Sequence, residues 1–242
     1  MNILTLKKYG YWKDSAVILK GDAVWNFTVM FLTVWDYYNG SSENYNNFLP
    51  NNNCKERFHS DGFVLPYGDS PLSNEKVGEM AYLNIINQAE DYVYITTPYL
   101  ILDNETVTAL CLAAKKGIDV RIITPHIPDK WYVHMVTRGY YPVLIENGVK
   151  IYEFTPGFIH GKTFVSDNEL AIVGTINLDY RSLYLHFECA TWMYQSKVVL
   201  SIKEDFISTL EQCEMITIEK CNKIKWPIKF MRTLMRVFAP LM

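Results

Sequence analysis

The chain predicts an α/β sandwich built around a mixed β-sheet, and three observations lead there. Short apolar runs rich in Val, Ile and Tyr alternate with longer segments of helical periodicity from residue 61 onward. Two of the helical segments end on glycine, at Gly117 and Gly148, and one strand-like run ends at Pro98. The central runs are apolar throughout, as expected of strands covered on both faces. At 242 residues and 49% apolar content, the chain can bury one substantial core with appendages.

Taken in order, Ser15 to Lys20 reads as a strand and Gly21-Asp22 as a turn. Ala23 to Tyr38 reads as a helix with Trp25, Val29, Leu32 and Trp35 near one face. Residues 39–60 are rich in Asn and Ser and read as a flexible linker, which leaves residues 1–38 loosely attached. A domain over 61–215 follows. It opens with a short strand, Phe63–Leu65, and a helix, Asn74–Glu90. Then come strand Tyr92–Thr97, helix Asn104–Lys116, strand Val120–Thr124, helix Tyr132–Asn147 and strand Val149–Phe154. Phe158–Val165 and Leu170–Gly174 form a hairpin around a tight turn at Asp167-Asn168-Glu169. Glu188–Tyr194 is a late strand and Val198–Gln212 a helix.

Charge is unevenly distributed. The net charge is −3, yet residues 220–242 hold six basic side chains and no acid, leaving 17 basic against 26 acidic residues elsewhere. An acidic body is a poor match for a nucleic-acid backbone, so no nucleic-acid partner is expected, while the basic end suits an anionic surface. After Trp226-Pro227 a helix can start. It groups Ile228, Met231, Leu234, Met235 and Phe238 on one arc and Lys229, Arg232 and Arg236 on another. That pattern fits a helix lying in a membrane interface; a helix packed on the body with a solvated basic face is the competing expectation. The five cysteines lack CxxC spacing, and no clustered His/Cys/Asp set or HExxH occurs, so neither a metal nor another cofactor is expected. No uncharged apolar run reaches the length of a membrane span.

The residues that carry chemistry are His160-Gly161-Lys162, Asp167, and Gly174-Thr175-Ile176-Asn177. On a strand His160 and Lys162 share a face, and Gly161 leaves room between them for close approach of a backbone or ligand. Asn177 lies just past the returning strand and can join them. An imidazole, a fixed cation and an amide are the groups needed to attack a phosphodiester and hold its oxygens. The set occurs once, whereas such chemistry usually employs two imidazoles. Asp167 is also accounted for by turn chemistry alone.

His160, Lys162 and Asp167, with Gly174, Thr175 and Asn177 downstream, resemble the signature of the phospholipase D superfamily. Tyr94–Tyr99, Gly117–Ile122, Gly148–Tyr152, Asn177–Ser182 and Phe187-Glu188 resemble the second half of bacterial cardiolipin synthases. Tyr11–Asp14 to Trp35-Asp36 resembles the segment following the first catalytic motif of those enzymes. The resemblance therefore implies a phospholipase D-like fold and one catalytic lobe of a two-lobed enzyme, from a truncated gene, a split gene or a partial gene model.

It also implies roles. His160 would be one of two histidines, one forming a phosphohistidine while the other moves the alcohol's proton. Lys162 and Asn177 would hold the non-bridging oxygens, and Glu188 would orient His160 through its second ring nitrogen. An edge-strand surface Glu is the alternative for Glu188. Thr175 and Tyr99 are expected against substrate, Tyr99 alternatively as a packed aromatic.

The implied reaction joins two phosphatidylglycerols into cardiolipin and glycerol, with phosphatidylglycerol as partner. The chain would sit peripherally on the cytoplasmic face of the membrane through residues 220–242. Completion of the site would need a homodimer or a companion lobe. A single-motif phosphodiesterase or nuclease, and an inactive membrane-binding fragment, remain as alternatives.

Overall fold

The structure is a computed structural model that describes residues 8–49 and 61–241. Among the described residues the strands are β1 Tyr11–Lys13, β2 Phe63–Asp69, β3 Tyr92–Thr96, β4 Asp119–Pro125, β5 Lys150–Phe154, β6 Gly157–Ile159, β7 Thr163–Ser166, β8 Leu170–Gly174, β9 Glu188–Tyr194 and β10 Cys213–Ile216. The helices are α1 Val24–Asn39, α2 Val77–Gln88, α3 Asn104–Lys115, α4 Trp131–Glu146, α5 Tyr180–Tyr184, α6 Lys197–Leu210, α7 Ile218–Asn222 and α8 Trp226–Val237. Eight strands make one mixed sheet in the order β10-β5-β4-β3-β7-β8-β9-β2. β3, β4 and β5 run parallel, and every other pairing in this sheet is antiparallel.

Alternation along the strands divides the core in two. Val93, Ile95, Ile122, Ile151 and Phe164 face helices α2, α3 and α4, while Tyr94, Ile123, Val165 and Met193 face Phe206 and Val199 of α6. The expected sandwich around a mixed sheet is present. Its central strands are buried residue after residue, as their unbroken apolar runs require. The first strand of the sheet is longer than expected, because Pro66 sits on edge strand β2, where its missing N–H costs no ladder bond.

Three parts of the chain differ from the sequence reading. Residues 15–20 form no strand; the strand is Tyr11–Lys13, paired parallel to β6. Gly157 permits this pairing, since a Cβ there would lie 2.0 Å from the Tyr11 carbonyl oxygen. On α1 Leu32 is buried, whereas Trp35 is half exposed, so the expected face is only partly covered. The helix is tied to the edge strand by Asn26, whose amide donates to the Pro66 carbonyl. The segment expected to be loosely attached thus enters the domain at two places. Of the expected linker, Tyr45–Phe48 is a 3-10 turn, and residues 50–60, including His59 and Cys54, lie outside the described residues.

The basic end is not a separate appendage. Cys221 and Ala239 are buried in the main core, and α8 lies along α4. Its orientation inverts the packed alternative: Arg232, Met235 and Arg236 turn toward the body, while Ile228, Met231, Leu234 and Phe238 stay exposed. Arg236 stacks over the Tyr140 ring at 4.2 Å.

Candidate active site

The site forms where β6 ends and β7 begins. β7 lies antiparallel to β3, with Thr163 opposite Thr96, which brings His160 to the carboxyl ends of the parallel strands. The His160 amide donates to the Lys13 carbonyl at 2.7 Å, and its ring lies 5.3 Å from the Trp12 ring. Asp14 Oδ1 is 2.7 Å from His160 Nδ1. A carboxylate only accepts, so Nδ1 carries a proton, and in the neutral ring Nε2 keeps its lone pair. Among the described residues Nε2 has no hydrogen-bond partner.

Lys162 is buried, with its ammonium donating to the His160 carbonyl at 2.6 Å. It makes no ion pair among the described residues. Burial pulls its pKa down to about 8 against the opposing charges of Asp14, Glu188 and Asp179. A desolvated cation without a counter-anion, beside an imidazole presenting a lone pair, is suited to receive an anionic group. Gly161 does leave room, but Ser15 takes it, its Oγ lying 2.7 Å from where a Cβ would be.

The Gly174 amide donates to the Lys162 carbonyl, so residues 175–177 continue beside the lysine. The Asn177 amide nitrogen is placed against Ser182 Oγ at 2.9 Å, which leaves the buried Oδ1 without a partner. Ser182 is itself fixed by Asp179, which accepts its amide at 2.7 Å as the cap of α5.

Among the described residues Glu188 makes no hydrogen bond to His160; that position belongs to Asp14. Glu188 is hydrogen-bonded by the Thr175 hydroxyl, and its other oxygen is 3.8 Å from His186. Burial raises its pKa, opposed by hydrogen bonds from Thr175 and Ser182. The resemblance to the phospholipase D superfamily implied the orienting role for Glu188. Its partner is Thr175 instead. Thr175 is thereby committed: its amide also donates to Cys189 O, and its oxygen accepts from Cys189 N.

A family model described as cardiolipin synthase, phospholipase D-like domain, matches residues 82–210. The chain belongs to this family. A Streptococcus mutans protein is 50% identical over 240 residues, covering 98% of this chain and 51% of that protein. A cardiolipin synthase of Halalkalibacterium halodurans is 34% identical over 234 residues, covering 97% of this chain and 46% of that protein. The chain spans about half the length of the curated relatives it matches. Among solved structures, the phospholipase D family member Nuc of Salmonella typhimurium superposes with a TM-score of 0.55 at 18% identity. That match covers 64% of this chain and 98% of Nuc, and it bears on the fold.

Within this phospholipase D-like domain, not every residue of the sequence signature reaches His160. Asp167 lies at the opposite end of β7, on the order of 20 Å away at 3.3 Å per residue. Asp167 and Asn168 both have positive φ, 54° and 60°, and Glu169 N donates to Ser166 O, in a tight turn of three residues between Ser166 and Leu170. The Asp167 carboxylate accepts from the amides of Glu90, Asp91 and Tyr92 at 2.9–3.0 Å, tying the turn to the start of β3. Burial would raise its pKa, but these bonds hold it below the ordinary carboxylate value.

Tyr99 is half-buried on the main core, and its hydroxyl donates to Asp129 at 2.5 Å, the geometry of a packed aromatic. One group of carboxylates among the described residues, Glu79, Asp103 and Glu105, could hold a cation, but Asp103 already caps α3 through the Thr106 amide. Sequence reasoning missed Asp14 and Trp12 as site residues. Nothing in the sequence pairs Asp14 with His160, because the two meet across 146 positions.

Proposed function

We propose that the chain is a phosphatidyltransferase domain acting on phosphatidylglycerol, with cardiolipin and glycerol as products. The observation that carries this reading is the pairing of an Nε2 lone pair on His160 with the unpaired, buried Lys162. A phosphodiester is an anion that resists nucleophiles; Lys162 neutralises it while His160 reaches phosphorus. Attack by Nε2 breaks the P–O bond to glycerol and forms a phosphatidyl-histidine, with the departing alkoxide taking a proton. The hydroxyl of a second phosphatidylglycerol then loses its proton and displaces the histidine, which regenerates the imidazole. Asp14 holds the ring and stabilises the positive charge it acquires, and Asn177 donates to a non-bridging oxygen. Glu188 and Thr175 tie the end of β8 to the start of β9.

Proton transfer to and from the alcohols calls for a second imidazole. The sequence holds one copy of the motif, so that imidazole comes from a second copy of the chain or from a companion lobe. Residues 220–242 seat the domain on the lipid surface. No helix among the described residues is long and apolar enough to cross a membrane.

The test is product formation from phosphatidylglycerol vesicles at increasing chain concentration, wild type against His160→Ala. Cardiolipin and glycerol are expected, with a rate that rises more steeply than concentration and vanishes in the variant. Robust cardiolipin formation by a demonstrated monomer contradicts the two-imidazole mechanism. Cleavage of DNA without lipid turnover contradicts the choice of substrate.

A further inference from the structure

A cavity of about 530 Å³, lined by neither His160 nor Lys162, lies between α4, β5, β10, α7 and the amino end of α8. Its walls carry five fixed cations, Arg138, Lys220, Lys223, Lys225 and Arg232, against two carboxylates, Glu153 and Glu214. Both carboxylates are already taken. Glu153 is buried and held by Arg138 through two bonds at 2.6 and 2.8 Å, and by His126 and Tyr141. Glu214 is paired with Lys220 at 2.6 Å. Lys223, Lys225 and Arg232 are in no ion pair among the described residues. The Arg232 Nε–H is buried and has no acceptor among the described residues, an arrangement that native proteins rarely leave without a partner.

The cavity continues into an apolar surface. Ile228 lines its rim, and Met231 and Leu234 follow one turn apart along α8, each more than 40% exposed. From Ile228 to Phe238 the stripe runs about 15 Å at 1.5 Å per residue. A ligand that satisfies both halves has an anionic head for the cations and apolar chains for the stripe.

We propose that this cavity binds the phosphodiester headgroup of an anionic phospholipid whose acyl chains lie along the exposed face of α8. The site is separate from the His160 cleft and holds whether or not His160 catalyses transfer. It converts the docking of α8 from a general attraction into a specific lipid contact. Arg232, held at the cavity wall by α4, donates to a phosphate oxygen; Lys223 and Lys225 close around it.

The full chain is to be tested for binding to phosphatidylcholine vesicles with and without 30% phosphatidylglycerol. Arg232→Gln with Lys225→Gln removes two cavity cations; Lys203→Gln with Lys116→Gln removes two from surfaces outside both the cavity and residues 220–242. The cavity pair is expected to weaken binding to the mixed vesicles about tenfold or more, the control pair less than about threefold, at roughly 1 kcal/mol per basic residue engaged at a lipid surface. Met231→Ser with Leu234→Ser is expected to lose binding as well, and His160→Ala to retain it. Equal losses in the cavity and control pairs overturn the site in favour of diffuse charge.

A second measurement covers variants that fail to fold. Short-chain dihexanoyl-phosphatidylglycerol is expected to raise the thermal midpoint of the Lys162→Ala chain, with its cleft disabled, while dihexanoyl-phosphatidylcholine is not. No rise overturns the proposal, and an equal rise with inorganic phosphate overturns it in favour of a free-anion site.

Discussion

The two ends of the β7–β8 hairpin carry residues of one short sequence signature and do opposite work. At one end His160 and Lys162 are poorly satisfied: among the described residues Nε2 has no partner and the buried ammonium no counter-ion. At the other end Asp167 is fully engaged, accepting three backbone amides while its left-handed backbone turns the chain. Unmet bonding capacity marks the end that waits for a ligand, and met capacity marks the end that holds the sheet together. A contiguous motif can therefore run from chemistry to architecture within one strand.

The largest effect that would sharpen this contrast comes from removing the imidazole. His160→Ala is expected to lower phosphatidylglycerol turnover by about a thousandfold or more, with little change in thermal midpoint, because the side chain is partly exposed. Asp14→Asn follows, with a loss of about a hundredfold as the ring loses its orienting charge; Glu188→Gln is expected to cost under about tenfold. A reversed order in that pair of assays would return the orienting role to Glu188. Alkaline pH gives a third test. Lys162 is charged below about 8, so turnover is expected to fall as pH rises through that value rather than near 10.5.

At the structural end the effect is on stability. Asp167→Ala is expected to cost about 2 kcal/mol, since three amides lose a charged acceptor but two of them can turn to water. In a chain of this size that is a midpoint drop of roughly 4–8 °C, readable by circular dichroism. The pH dependence has a definite sign. The Asp167 pKa is depressed on folding, so its contribution is present above the unfolded value and is lost as pH falls through the lower folded one. Asp167→Asn should accordingly flatten the acid limb of the stability curve, the smallest change of the set.

Much of this was legible in sequence, and the exceptions have physical causes. Periodicity located the βα units and the hairpin, since buried strands and amphipathic helices leave distinct patterns. The turn chemistry of Asp167-Asn168 already competed with a catalytic role, and the turn is what forms. Asp14 was invisible as the partner of His160 because the contact depends on the β1–β6 pairing, which brings distant segments together. The face of α8 turned to the body was also undetermined. A helical projection separates the apolar arc from the basic one, but it does not show that Tyr140 on α4 offers a ring for Arg236.

The central claim is that reactivity resides at His160 while Asp167 holds the hairpin. Phosphatidylglycerol turnover by Asp167→Asn, measured well below its thermal midpoint and expressed per folded molecule, tests it most directly. Turnover within about fivefold of wild type is predicted, on the general expectation that a residue outside the reacting groups leaves the barrier nearly unchanged. A folded Asp167→Asn protein as inactive as His160→Ala would contradict it.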